Sequence, residues 1–261
     1  MASPNGNVEL EKRGNIAIVT LNRPEKLNAL TPDMLSTLEE IARALDADTD
    51  IRAVVLTACG EKAFCVGADI NIWSALQPLD MWRTWVRNGH RIFDAWATLR
   101  IPVIAAANGH AFGGGLELLA TADIRVCEPG ATFAFPEAGI ATCPGWSGTQ
   151  RVVKLIGSGM VKYMALTGNR ISADKALQIG LIQEISAPGK ACNAAIALAE
   201  KIATLAPVSV QLTKQLIDAS LGINSAAIME GMAGALAATT ADAKEGLASF
   251  SERRHPLFKG E

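Results

Sequence analysis

The chain has 261 residues, 49% of them apolar and 19% charged, enough to bury one sizeable core plus an appendage, which argues against disorder. Its formal net charge is −2, and the most basic local cluster is Arg253–Arg254, so nothing drives it toward nucleic acid or an acidic membrane surface. Five scattered cysteines (Cys59, Cys65, Cys127, Cys143, Cys192) without a C-x-x-C pair fit a reducing compartment.

In chain order, residues 8–12 alternate apolar and polar, Gly14-Asn15 reads as a turn, and residues 16–21 are a β-branched run, together a hairpin. Thr31-Pro32-Asp33 opens a helix carrying Leu35, Leu38, Ile41, Ala42 and Leu45 at helical spacing. A buried strand is expected over 52–57, a long helix over 80–99, and a second buried strand over 102–107 that Asn108-Gly109 breaks. A short helix follows from the glycines at 113–115, then a strand around 124–127. This alternation predicts an α/β core. Past residue 144 the strand signal fades, and helices are expected over 148–157, 160–167, 173–179, 191–205, 208–221, 225–239 and 241–253. The expected division is a core over 1–200 carrying the site, and a helical appendage over 201–261 of a kind that often serves oligomer contacts. The start shows no apolar signal core and no Arg-rich transit pattern, and residues 103–107 and 116–120 are apolar runs too short to span a bilayer. The end is not Ser-Lys-Leu. A soluble cytoplasmic protein is the expectation.

Three stretches offer chemistry. In Gly113-Gly114-Gly115-Leu116-Glu117, three glycines entering a helix leave backbone N–H groups free at its positive end. Glu117 lies three residues past Gly114 on the same face, roughly 5–6 Å away. The glycines also suit tight packing, with Glu117 in water. However, residues 116 and 118–120 are all apolar, so the helix reads as buried, and an unpaired buried carboxylate costs several kcal/mol (about 3 or more). In the second stretch, Glu137 follows Pro136 in apolar company and, taken in isolation, reads slightly more as a surface-loop glutamate than as a site residue. Beyond it, Gly145 and Gly148 can bring backbone close to a ligand, and Ser147 or Gly148 can cap the next helix. In the third, Gly67 can aim the Ala68 N–H inward, and Asp69 reads as the N-cap of the following helix. Trp73, Trp82, Trp85 and Trp96 read as core before pocket, and His90, His110, His255 and Tyr163 show no legible partner.

Taken together, five stretches resemble the enoyl-CoA hydratase/isomerase (crotonase) family: residues 22–30, 63–70, 102–117, 135–151 and 242–260, in order and with ordinary spacing. The resemblance implies a spiral α/β fold of strand-strand-helix turns with a C-terminal helical region that makes trimers, often paired into hexamers. It implies that Ala68 and Gly114 supply the two N–H donors of an oxyanion hole, that Glu117 and Glu137 are the acid/base pair, and that Gly145 sits beside a bound water. It implies CoA contacts from Lys26, Leu27, Ala29, Ala63, Phe64, Ala68, Asp69 and Ile70, with Phe250 and Arg253 at the nucleotide end, in the same or a neighbouring subunit.

The activity expected is hydration of an enoyl-CoA thioester, with CoA as part of the substrate and no metal or other cofactor. Which glutamate is acid and which base stays open. A Δ3-Δ2-enoyl-CoA isomerase, another thioester lyase or hydrolase, and more remotely a non-catalytic RNA-binding or structural relative are the alternatives. Trp146 and Ser147 depart from the family's usual Ala or Gly, and bulk there would shorten or redirect the acyl pocket.

Overall fold

The computed structural model describes residues 6–261. Residues 1–5, part of the start read above for a leader pattern, lie outside the described residues. The described residues form two compact units, divided between Gln211 and Leu212.

In the first unit, β1 (Asn7–Arg13) and β2 (Ile16–Asn22) form the expected antiparallel hairpin, turning at Gly14 and Asn15. Helix α1 (Pro32–Ala47) starts where Thr31 accepts the Met34 N–H on its side chain, and it buries Leu35, Leu38 and Leu45. The chain continues through β3 (Ala53–Ala58), β4 (Ala63–Cys65), α2 (Ile70–Trp73), α3 (Pro78–Asp80) and α4 (Arg87–Ala97). Between α3 and α4, Met81–Val86 is π-helical, so the long helix expected over 80–99 is locally widened where it nears the site. Next come β5 (Val103–Ala107), β6 (His110–Phe112), α5 (Gly114–Leu119), β7 (Ile124–Cys127) and β8 (Thr132–Ala134). Helix α6 (Gly148–Thr167) is broken at Gly157, whose φ of 78° and ψ of 155° are not helical, at the gap expected between its two halves. The unit continues with β9 (Ile171–Ser172), α7 (Ala173–Gln178), β10 (Glu184–Ile185), α8 (Ala191–Ala203) and α9 (Pro207–Ser220), which runs across the division between units.

Two sheets result, in the orders β1-β2-β3-β5-β7-β10 and β4-β6-β8-β9. Strands β3, β5 and β7 are parallel neighbours in the larger sheet, and β4, β6 and β8 are parallel neighbours in the smaller. Each pass of the chain thus adds one strand to each sheet, which is the strand-strand-helix spiral. The larger sheet is covered on both faces, so β3 and β5 are buried at every position and read as continuous apolar runs. Strand β2 sends Ala17, Val19 and Leu21 to the face shared with α1, and Ile16 and Ile18 to the face shared with Ala191, Ala195 and Ala199 of α8.

The second unit contains α10 (Ser225–Ala238) and α11 (Ala241–Glu252), the latter capped by Thr240. Its tail returns to the start of α11: the N–H groups of Lys259 and Gly260 both donate to the Asp242 carboxylate, each at 2.7 Å. Arg254 pairs with Glu245 and Glu252.

Candidate active site

The turn from β6 into α5 begins at Gly113, in the left-handed half of the map with φ 50° and ψ −125°. That φ favours glycine, and a Cβ there would also stand 2.8 Å from Glu137 Oε1 and displace the carboxylate. Gly114 is the first residue of α5, and its N–H has no backbone carbonyl acceptor among the described residues. Every residue of α5 is buried, and Glu117 is only 2% exposed.

Facing it, Leu30 and Ala68 form an isolated parallel bridge. Leu30 N–H donates to Gly67 O at 2.8 Å and Asp69 N–H donates to Leu30 O at 2.9 Å. Parallel pairing of that kind uses the residues on either side of Ala68, so the Ala68 N–H turns away from that strand and has no backbone acceptor among the described residues. Gly67, at φ 97°, lets the segments close up: a Cβ there would stand 3.1 Å from Gly114 N. Two unengaged N–H groups are thus carried by adjoining backbone, an arrangement able to stabilise an oxygen that gains negative charge.

The two carboxylates have unequal surroundings. Glu117 Oε1 accepts the N–H groups of Trp146 and Gly148, each at 2.8 Å. Burial pushes the Glu117 carboxyl upward, opposed by the N–H groups of Gly148, Trp146 and Gly145 and by the charge of His90. Glu137 opens a short 3-10 turn (Glu137–Ile140) behind Pro136 and is buried, which corrects the surface-loop reading that its local sequence slightly favours. Among the described residues its Oε2 has no hydrogen-bond partner. Burial, its largest cause, raises Glu137 to about 7, its own N–H opposes, and the neighbouring charge of Glu117 adds to the rise. Burial thus raises both carboxyls, but backbone N–H groups hold Glu117 Oε1 while Glu137 Oε2 has no hydrogen-bond partner among the described residues.

The loop ahead of α1 is tied beneath this site. Asn28, at φ 55°, accepts the Arg23 N–H at 2.9 Å and donates to Cys59 O and Ala63 O at 2.9 and 2.8 Å. Asp69 caps α2 as expected, accepting the Asn71 N–H at 3.0 Å. It also pairs with Arg23 at 2.6 Å, both side chains being buried, and that hydrogen bond holds its carboxyl below the usual range. Nothing in the sequence flagged Arg23, which stands 46 residues from its partner.

Lys26, Leu27 and Ile70 are exposed, while Ala29, Ala63 and Phe64 are buried and have only backbone to offer a ligand. Phe250, 87% exposed, and Arg253, in the left-handed C-cap position of α11, belong to the second unit. Among the described residues no group of three or more His, Cys, Asp or Glu side chains is gathered to hold a metal ion.

The absence of legible partners for three side chains is corrected by the structure. His90 Nδ1 is hydrogen-bonded to Ser147 Oγ, His110 Nδ1 to Thr132 Oγ1 at 2.9 Å, and Tyr163 to Asn169 at 3.0 Å. Ser147 stands at the N-cap of α6 without capping it, since its hydroxyl turns to His90. Of the tryptophans, Trp96 is core, while Trp82 is exposed and Trp85 lies against Trp146.

The profile of the enoyl-CoA hydratase/isomerase family matches residues 11–261. The chain belongs to that family. A short-chain-enoyl-CoA hydratase of Clostridium acetobutylicum is 40% identical over 250 residues, 95% of each chain. An (E)-benzylidenesuccinyl-CoA hydratase of Thauera aromatica is 38% identical over 256 residues, 97% of this chain and 99% of that one. The crystal structure of an enoyl-CoA hydratase from Bacillus anthracis superposes with a TM-score of 0.80 at 34% identity, covering 98% of this chain and all of the other.

Proposed function

We propose that the chain is an enoyl-CoA hydratase that adds water across the 2,3 double bond of an enoyl-CoA thioester, giving a 3-hydroxyacyl-CoA. The observation carrying this reading is the pair of buried carboxylates, Glu117 and Glu137, unequally hydrogen-bonded, beside two N–H groups without a backbone acceptor among the described residues.

In the proposed reaction the thioester oxygen sits on the N–H groups of Ala68 and Gly114. Donors fixed in advance stabilise the charge that gathers there as Cβ is attacked, by about 3–4 kcal/mol for each donor. A water held between the carboxylates, near Gly145, bonds through its oxygen to Cβ and gives one proton to Glu117. Protonated Glu137 gives its proton to Cα, so the elements of one water are added and the double bond is consumed. The pair is reset when Glu117 passes a proton back to Glu137, directly or through solvent. An isomerase needs only one such carboxylate, so the furnishing of both favours hydration.

In this reading CoA is held by Lys26, Leu27, Ala29, Ala63, Phe64, Ala68, Asp69 and Ile70. Assembly as a homotrimer or a pair of trimers is proposed with it, supported by Met229, Leu236 and Leu247, apolar side chains exposed on α10 and α11. Light scattering reads that mass directly. Residence in the cytoplasm is proposed as well, supported by five free thiols.

The test of the reaction is isotopic. Crotonyl-CoA incubated with the protein in oxygen-18 water should give 3-hydroxybutyryl-CoA labelled at C3. Unlabelled substrate recovered intact, or a double bond moved within a 3-enoyl-CoA with no label taken up, would remove the hydratase reading.

A further inference from the structure

The indole of Trp146 fills space directly beside the reacting groups. Trp146 is 3% exposed, and its backbone N–H is one of the donors on Glu117. Its ring reaches the other side of the site: a Cβ built on Gly114 would come within 2.7 Å of ring atom Cζ3, and that same point lies 3.5 Å from Gly67 Cα. One residue therefore extends from the Glu117 carboxylate to the backbone bearing the Gly114 N–H.

The ring is fixed where it stands. Trp85 packs against it at 5.3 Å between centroids, and Phe93 meets it edge-on at 5.2 Å. Its Nε1–H donates to Trp85 O at 3.4 Å. Helix α4 opens a notch for it at Gly89, where a Cβ would stand 2.0 Å from Cδ1 and Nε1 of the indole. The fit leaves the ring no room to withdraw toward α4.

We infer that Trp146 is the specificity-determining residue of the acyl site, ending the pocket just past the reacting double bond and restricting the substrate to short enoyl groups. The inference rests on the hydratase reading. The reacting unit runs from the thioester oxygen, at the Ala68 and Gly114 N–H groups, to Cβ, which faces the carboxylates. Carbons beyond Cβ then meet the wall joining Glu117 to Gly114, which is the indole. A saturated tail brings no polar group to compensate for displacing a ring held on two aromatic faces. In apolar pockets one methylene accepted or refused changes kcat/KM by about 10-fold or more.

The experiment compares crotonyl-, hexenoyl-, octenoyl-, decenoyl- and cinnamoyl-CoA as substrates for wild type, Trp146→Ala and Trp146→Leu, the leucine variant keeping more of the packing. Calorimetric binding of butyryl- and octanoyl-CoA, which cannot be hydrated, runs beside it. The expected result is a wild-type kcat/KM that falls about 10-fold or more from crotonyl to octenoyl. Both variants raise the octenoyl-to-crotonyl ratio by about 10-fold or more. The inference is overturned if wild type takes octenoyl-CoA as well as crotonyl-CoA, if it prefers bulky cinnamoyl-CoA to crotonyl-CoA, or if an active variant leaves the ratio unchanged. If no protein hydrates any substrate, the hydratase reading falls and binding decides the pocket. Octanoyl-CoA bound by the variants and refused by wild type upholds the role of Trp146, and equal binding to all three overturns it.

Discussion

Gly148 lies so close to Glu117 that a Cβ at position 148 would stand 2.2 Å from Glu117 Cγ and 2.8 Å from Oε1. The same residue donates its N–H to that oxygen at 2.8 Å. Gly148 is at once the hydrogen-bond donor and the clearance for the carboxylate. Gly148→Ala should push Glu117 out of register, lowering kcat by about 100-fold through lost acid/base geometry. Circular dichroism should show the fold retained, since α6 tolerates alanine at its first turn. A Gly148→Ala enzyme with near-normal kcat would mean that Glu117 does not need this placement.

Glu137, raised to about 7 from an ordinary 4.5, should govern the pH response. As the proton donor it must be protonated in the free enzyme, so kcat/KM should fall as pH rises through about 7. Stability follows the same sign. The folded chain holds this proton more tightly than the unfolded chain, so the contribution is full below about 4.5 and is lost as pH rises through about 7. The ceiling is about 3 kcal/mol. Glu137→Gln should lack this loss, and chemical denaturation of both proteins from about pH 4 to about pH 9 checks it. Parallel curves for the two proteins would contradict the burial of an uncompensated carboxylate.

The buried Arg23–Asp69 pair anchors the residue next to Ala68. Removing one partner leaves the other charged and buried, which costs roughly 3–5 kcal/mol. Asp69→Asn and Arg23→Met should each lower the melting temperature and lower kcat by about 10-fold, because the Ala68 N–H is no longer held. The two effects should be strongly non-additive in a double-mutant cycle. Additive losses would show that the pair does not act as a unit.

His90 matters through Ser147, which sits at φ 70°, a conformation unfavourable to any residue with a Cβ. The bond to His90 helps hold that turn, and the turn sets the Trp146 and Gly148 N–H groups on Glu117. His90→Ala should reduce kcat by about 10-fold. Adding Ser147→Gly, which accepts positive φ freely, should recover much of the loss. No recovery in the double variant would assign His90 a role outside this turn.

How much of this was legible in the sequence depended on length and distance. The hairpin and α1 were readable because their apolar positions repeat over enough residues to show a period. The burial of Glu117 was readable because its neighbours in α5 are all apolar. Strands β4, β6 and β8 were not readable, since three residues each carry no period, and their pairing is made by the spiral. Glu137 is ambiguous because what packs against its carboxylate, such as Gly113, stands on another element 24 residues away. The Arg23–Asp69 and His90–Ser147 contacts span 46 and 57 residues, and no local pattern announces them.

The central claim is that Glu117 and Glu137 together add water to a conjugated thioester, and the ultraviolet absorbance of crotonyl-CoA tests it most directly. Wild type should bleach the conjugated band, while Glu117→Gln and Glu137→Gln should each slow that loss by about 1,000-fold, within the range expected for removing a general acid or base. A wild type that leaves the band intact, or a Glu117→Gln variant that bleaches it at the wild-type rate, would contradict the account.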